Sequence, residues 1–298
     1  MRSPARIIDA HHHLWDLSHC DYPWLMEQGV VRFFGDPAPI QRDYLVEDFR
    51  KDFAHLPVVK SVHVQVGVAQ QDSLKETSWL QSCADAMGLP SAIIAFADLT
   101  SPDICDVLDQ HAEHPAIRGI RQIVGRSAEE DAKTGTNTLL SDPDFHKGLD
   151  ELARRDLSFD LQLTPPLMRE AARVLGAVDG LKVALCHAGS PSDFSDQGLA
   201  YWREGLTAIA QVPGALCKLS GFGMFNHDWD ADHVRPLILT AIDLFGPERI
   251  AFGSNFPVDN LYASYEHTMQ TYLEVVQDFT DAEIAAMFAA NAERFYQI

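Results

Sequence analysis

The chain has no apolar run approaching the ~18 residues a membrane-spanning helix needs. No apolar stretch of a secretory leader follows Met1-Arg2-Ser3-Pro4. Basic residues are few: 23 Lys and Arg stand against 43 Asp and Glu, a formal charge of −20, and none of the basic ones form a run. That balance argues against a surface tracking nucleic-acid phosphates or docking on anionic lipid. Cysteine is scarce too. Cys20, Cys83, Cys105, Cys186 and Cys217 form an odd set without a CxxC spacing, which points to free thiols in a reducing compartment, the cytoplasm. There is no GxGxxG, P-loop or GxSxG, and Gly221-Phe222-Gly223 is too short for a nucleotide fingerprint. Low-complexity linkers are missing as well. One domain over residues 1–298 is therefore expected, with no nucleic-acid or membrane partner and the oligomeric state left open.

What is present is a regular alternation. Apolar, β-branched runs lie near 6–11, 58–66, 91–97, 117–124, 157–163, 182–186, 215–219 and 249–253. Amphipathic stretches with helix-start signals lie at 45–54, 73–87, 103–114, 142–155, 166–178, 198–211 and 230–245, and two more, 262–277 and 281–295, close the chain. Eight strand-then-helix units imply a parallel sheet, since parallel neighbours need crossovers. A doubly wound open sheet usually announces a Gly-rich first turn, and here the first strand ends in histidines. The expected fold is α/β, a single (β/α)8 TIM barrel with an extra C-terminal helix. A long aromatic loop, Asp16 to Asp43, separates the first strand from the first helix and is expected to wall the site.

In such a barrel the site lies where strands end, so polar residues breaking apolar strand ends are the candidates. Ile7-Ile8-Asp9-Ala10-His11-His12-His13 is the foremost: alternation puts Asp9, His11 and His13 on one face and His12 on the other. Two imidazoles on one face can converge on a metal or on a substrate oxygen. Asp9, one alternation deeper, reads as their orienting partner. The other strand ends offer His63 and Gln65, Arg121 with Gln122 and Arg126, Asp160 and Gln162, His187, Lys218 with Ser220, and Asn255. His63, Gln65, Asp160 and Gln162 also read as polar residues bonding one another inside the barrel. Cys186 and Cys217 should face outward if His187 and Lys218 face the site. His111 and His114 read as a solvated helix pair.

Ile7 to Trp15, Leu185-Cys186-His187-Ala188-Gly189 and Phe252-Gly253-Ser254-Asn255-Phe256-Pro257-Val258-Asp259 together resemble the amidohydrolase superfamily. With Asp21-Tyr22-Pro23-Trp24-Leu25, Arg42-Asp43-Tyr44-Leu45 and Asn291-Ala292-Glu293-Arg294-Phe295-Tyr296, the likeness is to the amidohydrolase-2 branch that contains sugar-lactone and 2-pyrone-4,6-dicarboxylate lactonases. The resemblance implies that His11, His13 and His187 carry the chemistry. They either hold one divalent metal such as zinc or polarise an ester carbonyl without one. The branch has an aspartate after strand eight, and this chain has Asn255, which neither takes a proton nor ligates well. The nearest carboxylate in sequence is Asp259, expected to serve as the base, with no cofactor required. Arg121 and Arg126 are expected to hold a substrate carboxylate, and Trp24, Tyr44, Gln65 and Lys218 to bind the rest of a small anionic or polyhydroxylated substrate. The implied function is opening of a lactone of a sugar acid or dicarboxylic acid. The alternatives are a metal-dependent non-oxidative decarboxylase and a degenerate barrel that only binds a small acid.

Overall fold

The computed structural model describes residues 4–298; Met1 to Ser3, part of the stretch read for a leader, lie outside the described residues. Eight strands follow one another in space as in sequence: β1 (Ile7–His12), β2 (Val58–Val64), β3 (Ala92–Ala95), β4 (Ile117–Ile120), β5 (Ser158–Leu161), β6 (Lys182–Leu185), β7 (Leu216–Leu219) and β8 (Ile250–Phe252). Every neighbouring pair from β1–β2 to β7–β8 is parallel. The seam between β8 and β1 closes just past the strand ends, where Asn255 N donates to His11 O and His13 N to Phe256 O, each at 2.7 Å. Gly253 is needed there, because a Cβ would sit 2.7 Å from the backbone nitrogen of His11. The arrangement is a single (β/α)8 barrel.

Twelve helical segments connect and cover the strands among the described residues: α1 (Pro23–Met26), α2 (Val46–Asp52), α3 (Ser73–Met87), α4 (Ile104–Ala112), α5 (Ala128–Thr134), α6 (Pro143–Arg154), α7 (Met168–Leu175), α8 (Asp196–Ala210), α9 (Ala231–Phe245), α10 (Tyr265–Val275), α11 (Asp281–Ala285) and α12 (Asn291–Tyr296). Their ends follow local chemistry. The Asp142 carboxylate accepts from Asp144 N ahead of Pro143 in α6, and Gly88 ends α3 at φ 74°. Helix α6 then buries Phe145, Leu149 and Leu152, each stabilising the packed state by ~1.5–3 kcal/mol. Two helices have no counterpart in the sequence reading. Helix α1 lies in the long loop, and α5, Ala-Glu-Glu-Asp-Ala-Lys-Thr, buries no residue and so shows no apolar period. No helix among the described residues is long and apolar enough to cross a membrane.

Strand side chains divide into two layers. Ile7, Ile93, Phe159, Val183, Cys217 and Phe252 pack outward against helices, while Ile8, Ala10, Val62, Val64, Ala184, Leu216 and Ala251 fill the barrel interior. Deep in that interior, Lys218 Nζ pairs with Asp160, and neither side chain is exposed. Asp160 also accepts from Tyr296 Oη at 2.9 Å and from Ser158 Oγ at 3.2 Å. Lys218, expected to bind substrate, is thus committed to an ion pair inside the barrel, because its place on β7 lies below the mouth. Helix α12 covers the opposite end of the barrel. Glu293 meets Arg6 and Lys60 at the starts of β1 and β2, and Asn291 Nδ2 donates to Ile250 O at 2.8 Å. His111 is not solvated either: it is fully buried, with Nδ1 on Thr77 Oγ1 at 3.0 Å and Nε2 on Phe96 O at 3.1 Å.

Candidate active site

Three imidazoles meet at the C-terminal mouth of the barrel. Ring centroids lie 5.1 Å apart for His11 and His13 and 4.5 Å for His11 and His187. Each arrives through a break in regular strand geometry. In β1 the pairing with β2 slips between Asp9 and His12, a bulge that re-aims His11. Asp9 and His11 consequently do not share a face. The Asp9 carboxylate accepts from His11 N at 3.1 Å, Ser254 N at 2.9 Å and Tyr265 Oη at 2.9 Å. It therefore orients the backbone on both sides of the seam rather than any imidazole ring. His12 turns away and stacks on Phe49 at 4.0 Å. After β6, His187, Ala188 and Ser190 take φ of 53°, 50° and 57°, so the chain folds back and delivers His187 over the mouth. Cys186, expected to face outward, points inward near Lys218 and Asp160, while Cys217 does pack in the outer layer.

Burial, then the charges of Lys218 and its neighbours, hold His11 well below the ordinary histidine range; burial and Arg121 do the same to His187. His13 is pushed down to about 3 by burial and Arg121. All three are neutral at pH 7. His13 Nδ1 lies 2.7 Å from Val64 O and its Nε2 3.1 Å from Asn255 Oδ1. His187 Nδ1 meets Ser220 Oγ at 3.0 Å. Neither ring nitrogen of the buried His11 has a hydrogen-bond partner.

Asn255, at φ 58°, also donates from Nδ2 to Asp259 Oδ1 at 2.9 Å. Asp259, expected to be the base, is fully buried and outside the cavity's lining, in contact with Asn255, which borders it. Burial pushes its pKa up to about 7, against the pull of Asn255 and the Gly223 and Gly221 amides.

Above the imidazoles lies a cavity of 280 Å³ bordered by His13, His187, Asn255, Arg121, Arg126 and Trp24 among others. Trp24 is fixed by its indole N–H on Val66 O. Arg121 is almost wholly buried yet faces only neutral oxygens: Nη1 donates to Gln162 Oε1 at 2.7 Å, Nη2 to Gln65 O, and Nε to nothing. The Arg126 side chain makes no hydrogen bond or ion pair among the described residues. Gln65 does not border the cavity. Its amide holds Arg121 O at 3.3 Å and the Gly67 amide. Tyr44 is displaced too, buried with its hydroxyl on Asp52, since the bridge between Trp15 and Tyr44 turns it beneath the loop. Phe33 and Phe34, aromatics of the long loop expected to wall the site, border the cavity, as do Arg32, Glu130, Met224 and Val258, which no sequence signal marks. Glu130 sits on α5, which has no apolar period, and the others on loops or a short 3-10 turn. The aromatics and length of the 16–43 segment were the only signal.

His11, His13 and His187 are the residues that would hold a divalent ion: His13 turns Nδ1 to Val64 O, and Asn255, an amide and so a weak ligand, stands where the resemblance places a carboxylate.

Comparison with known proteins gives a consistent picture. The family model described as Amidohydrolase matches residues 8–298. The chain is 38% identical over 302 residues to the uncharacterized protein y4mH of Sinorhizobium fredii, covering 99% of this chain and 100% of that one. It is 27% identical to an L-fucono-1,5-lactonase of Burkholderia multivorans, covering 98% and 96%. A crystal structure of an amidohydrolase from Burkholderia multivorans with bound zinc superposes with a TM-score of 0.82 at 26% identity, over 98% of this chain and 99% of that one.

Proposed function

The chain belongs to the amidohydrolase family, and from that premise we propose that it is a hydrolase opening the lactone of a small sugar acid or dicarboxylic acid. The observation that carries this reading is His11: a buried imidazole with neither nitrogen partnered among the described residues, packed between two other neutral imidazoles, His13 and His187, that border the cavity. A buried polar group without a partner is expensive to maintain, and a ligand oxygen removes that cost. The likeness to an L-fucono-1,5-lactonase points the same way.

In the proposed reaction an imidazole N–H of His11 donates to the lactone carbonyl oxygen, where negative charge develops. Water attacks the carbonyl carbon and gives its proton to the free nitrogen of His187. As the ring C–O bond breaks, that proton passes to the departing ring oxygen, leaving a hydroxy acid. The imidazolium formed in the first step is the acid that protonates the alkoxide in the second. Asn255 orients the water and Asp259 positions Asn255. Arg121 and Arg126 take a carboxylate or hydroxyls of the substrate, since neither is ion-paired or hydrogen-bonded to a carboxylate among the described residues. The histidines contact substrate directly, and no metal takes part.

The test is a panel of sugar lactones and carboxylated lactones followed by ring-opening acidification, with and without prior chelation. Ring opening that survives chelation and is lost in His11→Ala is the expected result. No opening above background across the panel would sink the hydrolase reading. Activity abolished by chelation and restored by zinc would sink its metal-free part.

A further inference from the structure

The cavity over the histidines adjoins others. It shares the lining residues Phe33, Ile123, Arg126, Glu130 and Gln162 with a neighbouring cavity of 150 Å³. That one shares Arg126, Ser127, Thr164 and Ser192 with an outer cavity of 460 Å³. Arg126 borders all three, its backbone clamped by Asn137, whose amide exchanges hydrogen bonds of 2.8 and 3.1 Å with it. Small-molecule sites commonly occupy about 300–1,000 Å³, so the inner cavity suits one small ring while the outer one is roomy enough for another.

The outer lining has a chemical bias. The hydroxyls of Thr164, Ser192 and Tyr201 form no hydrogen bond among the described residues, so three donor–acceptor groups face the space with their capacity unused. Tyr201 is 45% exposed on α8, and Phe225 forms a wall of the neighbouring cavity. The outer lining carries one charge of each sign, Arg126 and Asp193, and Asp193 Oδ1 already accepts from Ser195 N at 2.9 Å. Unused hydroxyls, aromatic faces and no net charge suit a neutral polyhydroxylated ring: hydroxyls pair with hydroxyls and the apolar faces of the ring lie on aromatics.

We propose that the outer cavity is a second subsite, taking an uncharged sugar ring attached to the lactone opened over the histidines, with Arg126 touching both units. The preferred substrate is then a glycosylated aldonolactone. This rests on the lactonase reading above, and the experiment separates the two.

KM and kcat are measured for monosaccharide aldonolactones and for disaccharide aldonolactones, in the wild type, in Tyr201→Ala and in the double variant Thr164→Val/Ser192→Ala. The expected result is a KM about 10-fold lower for the disaccharide form in the wild type, the size of one or two added hydrogen bonds. Both variants should raise that KM to the monosaccharide value and leave monosaccharide kinetics unchanged. A disaccharide lactone that binds no better than the monosaccharide, or variants that affect both substrates equally, would overturn the subsite. If no lactone is opened at all, the hydrolase reading fails and the subsite is judged by saturation-transfer NMR with methyl glycosides. Binding lost in Tyr201→Ala then upholds it, and absence of binding overturns it.

Discussion

His13, Asn255 and Asp259 form a chain of contacts whose proton positions are coupled. A neutral His13 with its Nδ1 proton on Val64 O presents a lone pair at Nε2, so it needs a donor from Asn255. If the amide turns to supply one, its oxygen faces Asp259, which must then carry a proton. If Asp259 is ionised, the amide nitrogen faces it instead. With its pKa near 7, Asp259 therefore sets which end of Asn255 meets the imidazole as the pH crosses neutrality. Asp259→Asn removes that titration. Turnover is expected to fall about 10- to 100-fold, the scale of losing a group that orients another. The pH profile of kcat should also lose its step near 7; a fall in rate with the step retained would show that Asp259 is structural only.

The bulge in β1 does for the site what regular strand geometry could not. With strict alternation, His11 would follow Ile7 and Asp9 into the layer beneath the helices. The slipped register turns it to the mouth, and Asp9 takes up the His11 N–H there as well as Ser254 N. Asp9→Ala strands two buried backbone donors and a tyrosine hydroxyl. Denaturant unfolding should show a loss of at least about 3 kcal/mol, from about 1–3 kcal/mol for each of the three unsatisfied buried groups. A variant as stable as the wild type would show that the bulge holds without the carboxylate. Strand positions were legible because buried parallel strands are written as unbroken apolar runs, and the histidines because they interrupt such runs. The faces of Asp9 and Cys186 were not, since period-two reasoning carries no warning of a bulge or of left-handed residues such as Ala188. Tyr44 was misplaced for a different reason. Its burial depends on Asp52 and on Trp15, contacts that no local pattern encodes.

At the scale of the whole molecule, buried titratable groups bound the pH range of stability from both sides. Burial lowers His11, His12, His13, His63, His187 and His111 below their unfolded pKa, so the unfolded chain binds more protons and stability is lost as pH falls below about 6.5. Burial raises Asp9 to about 6, Asp259 to about 7 and Glu76 to about 8. Their folded forms hold protons that the unfolded chain has released, so this contribution is full below about pH 4 and fades as pH rises through 6 to 8. Six histidines outweigh three carboxyls below 6.5; above it the carboxyls act, joined toward pH 9 by the thiols of Cys20, Cys83 and Cys186, which burial raises. Thermal melts from pH 5 to 9 should therefore peak near pH 6.5–7 and fall more steeply on the acid side; a monotonic trend would contradict this balance.

The seam has a consequence in time as well as space. Asp9 and Ser254 are 245 residues apart, and synthesis proceeds at about 5–20 residues per second. The ribosome thus delivers β1 some 10–50 seconds before the segment that closes against it. Throughout that interval the edge of β1 has open hydrogen-bonding positions and its three imidazoles have no roof, a template for pairing with another nascent chain. The same closure that gathers His11 and Asn255 over one substrate makes the half-made polypeptide a natural client for chaperones that shield strand edges.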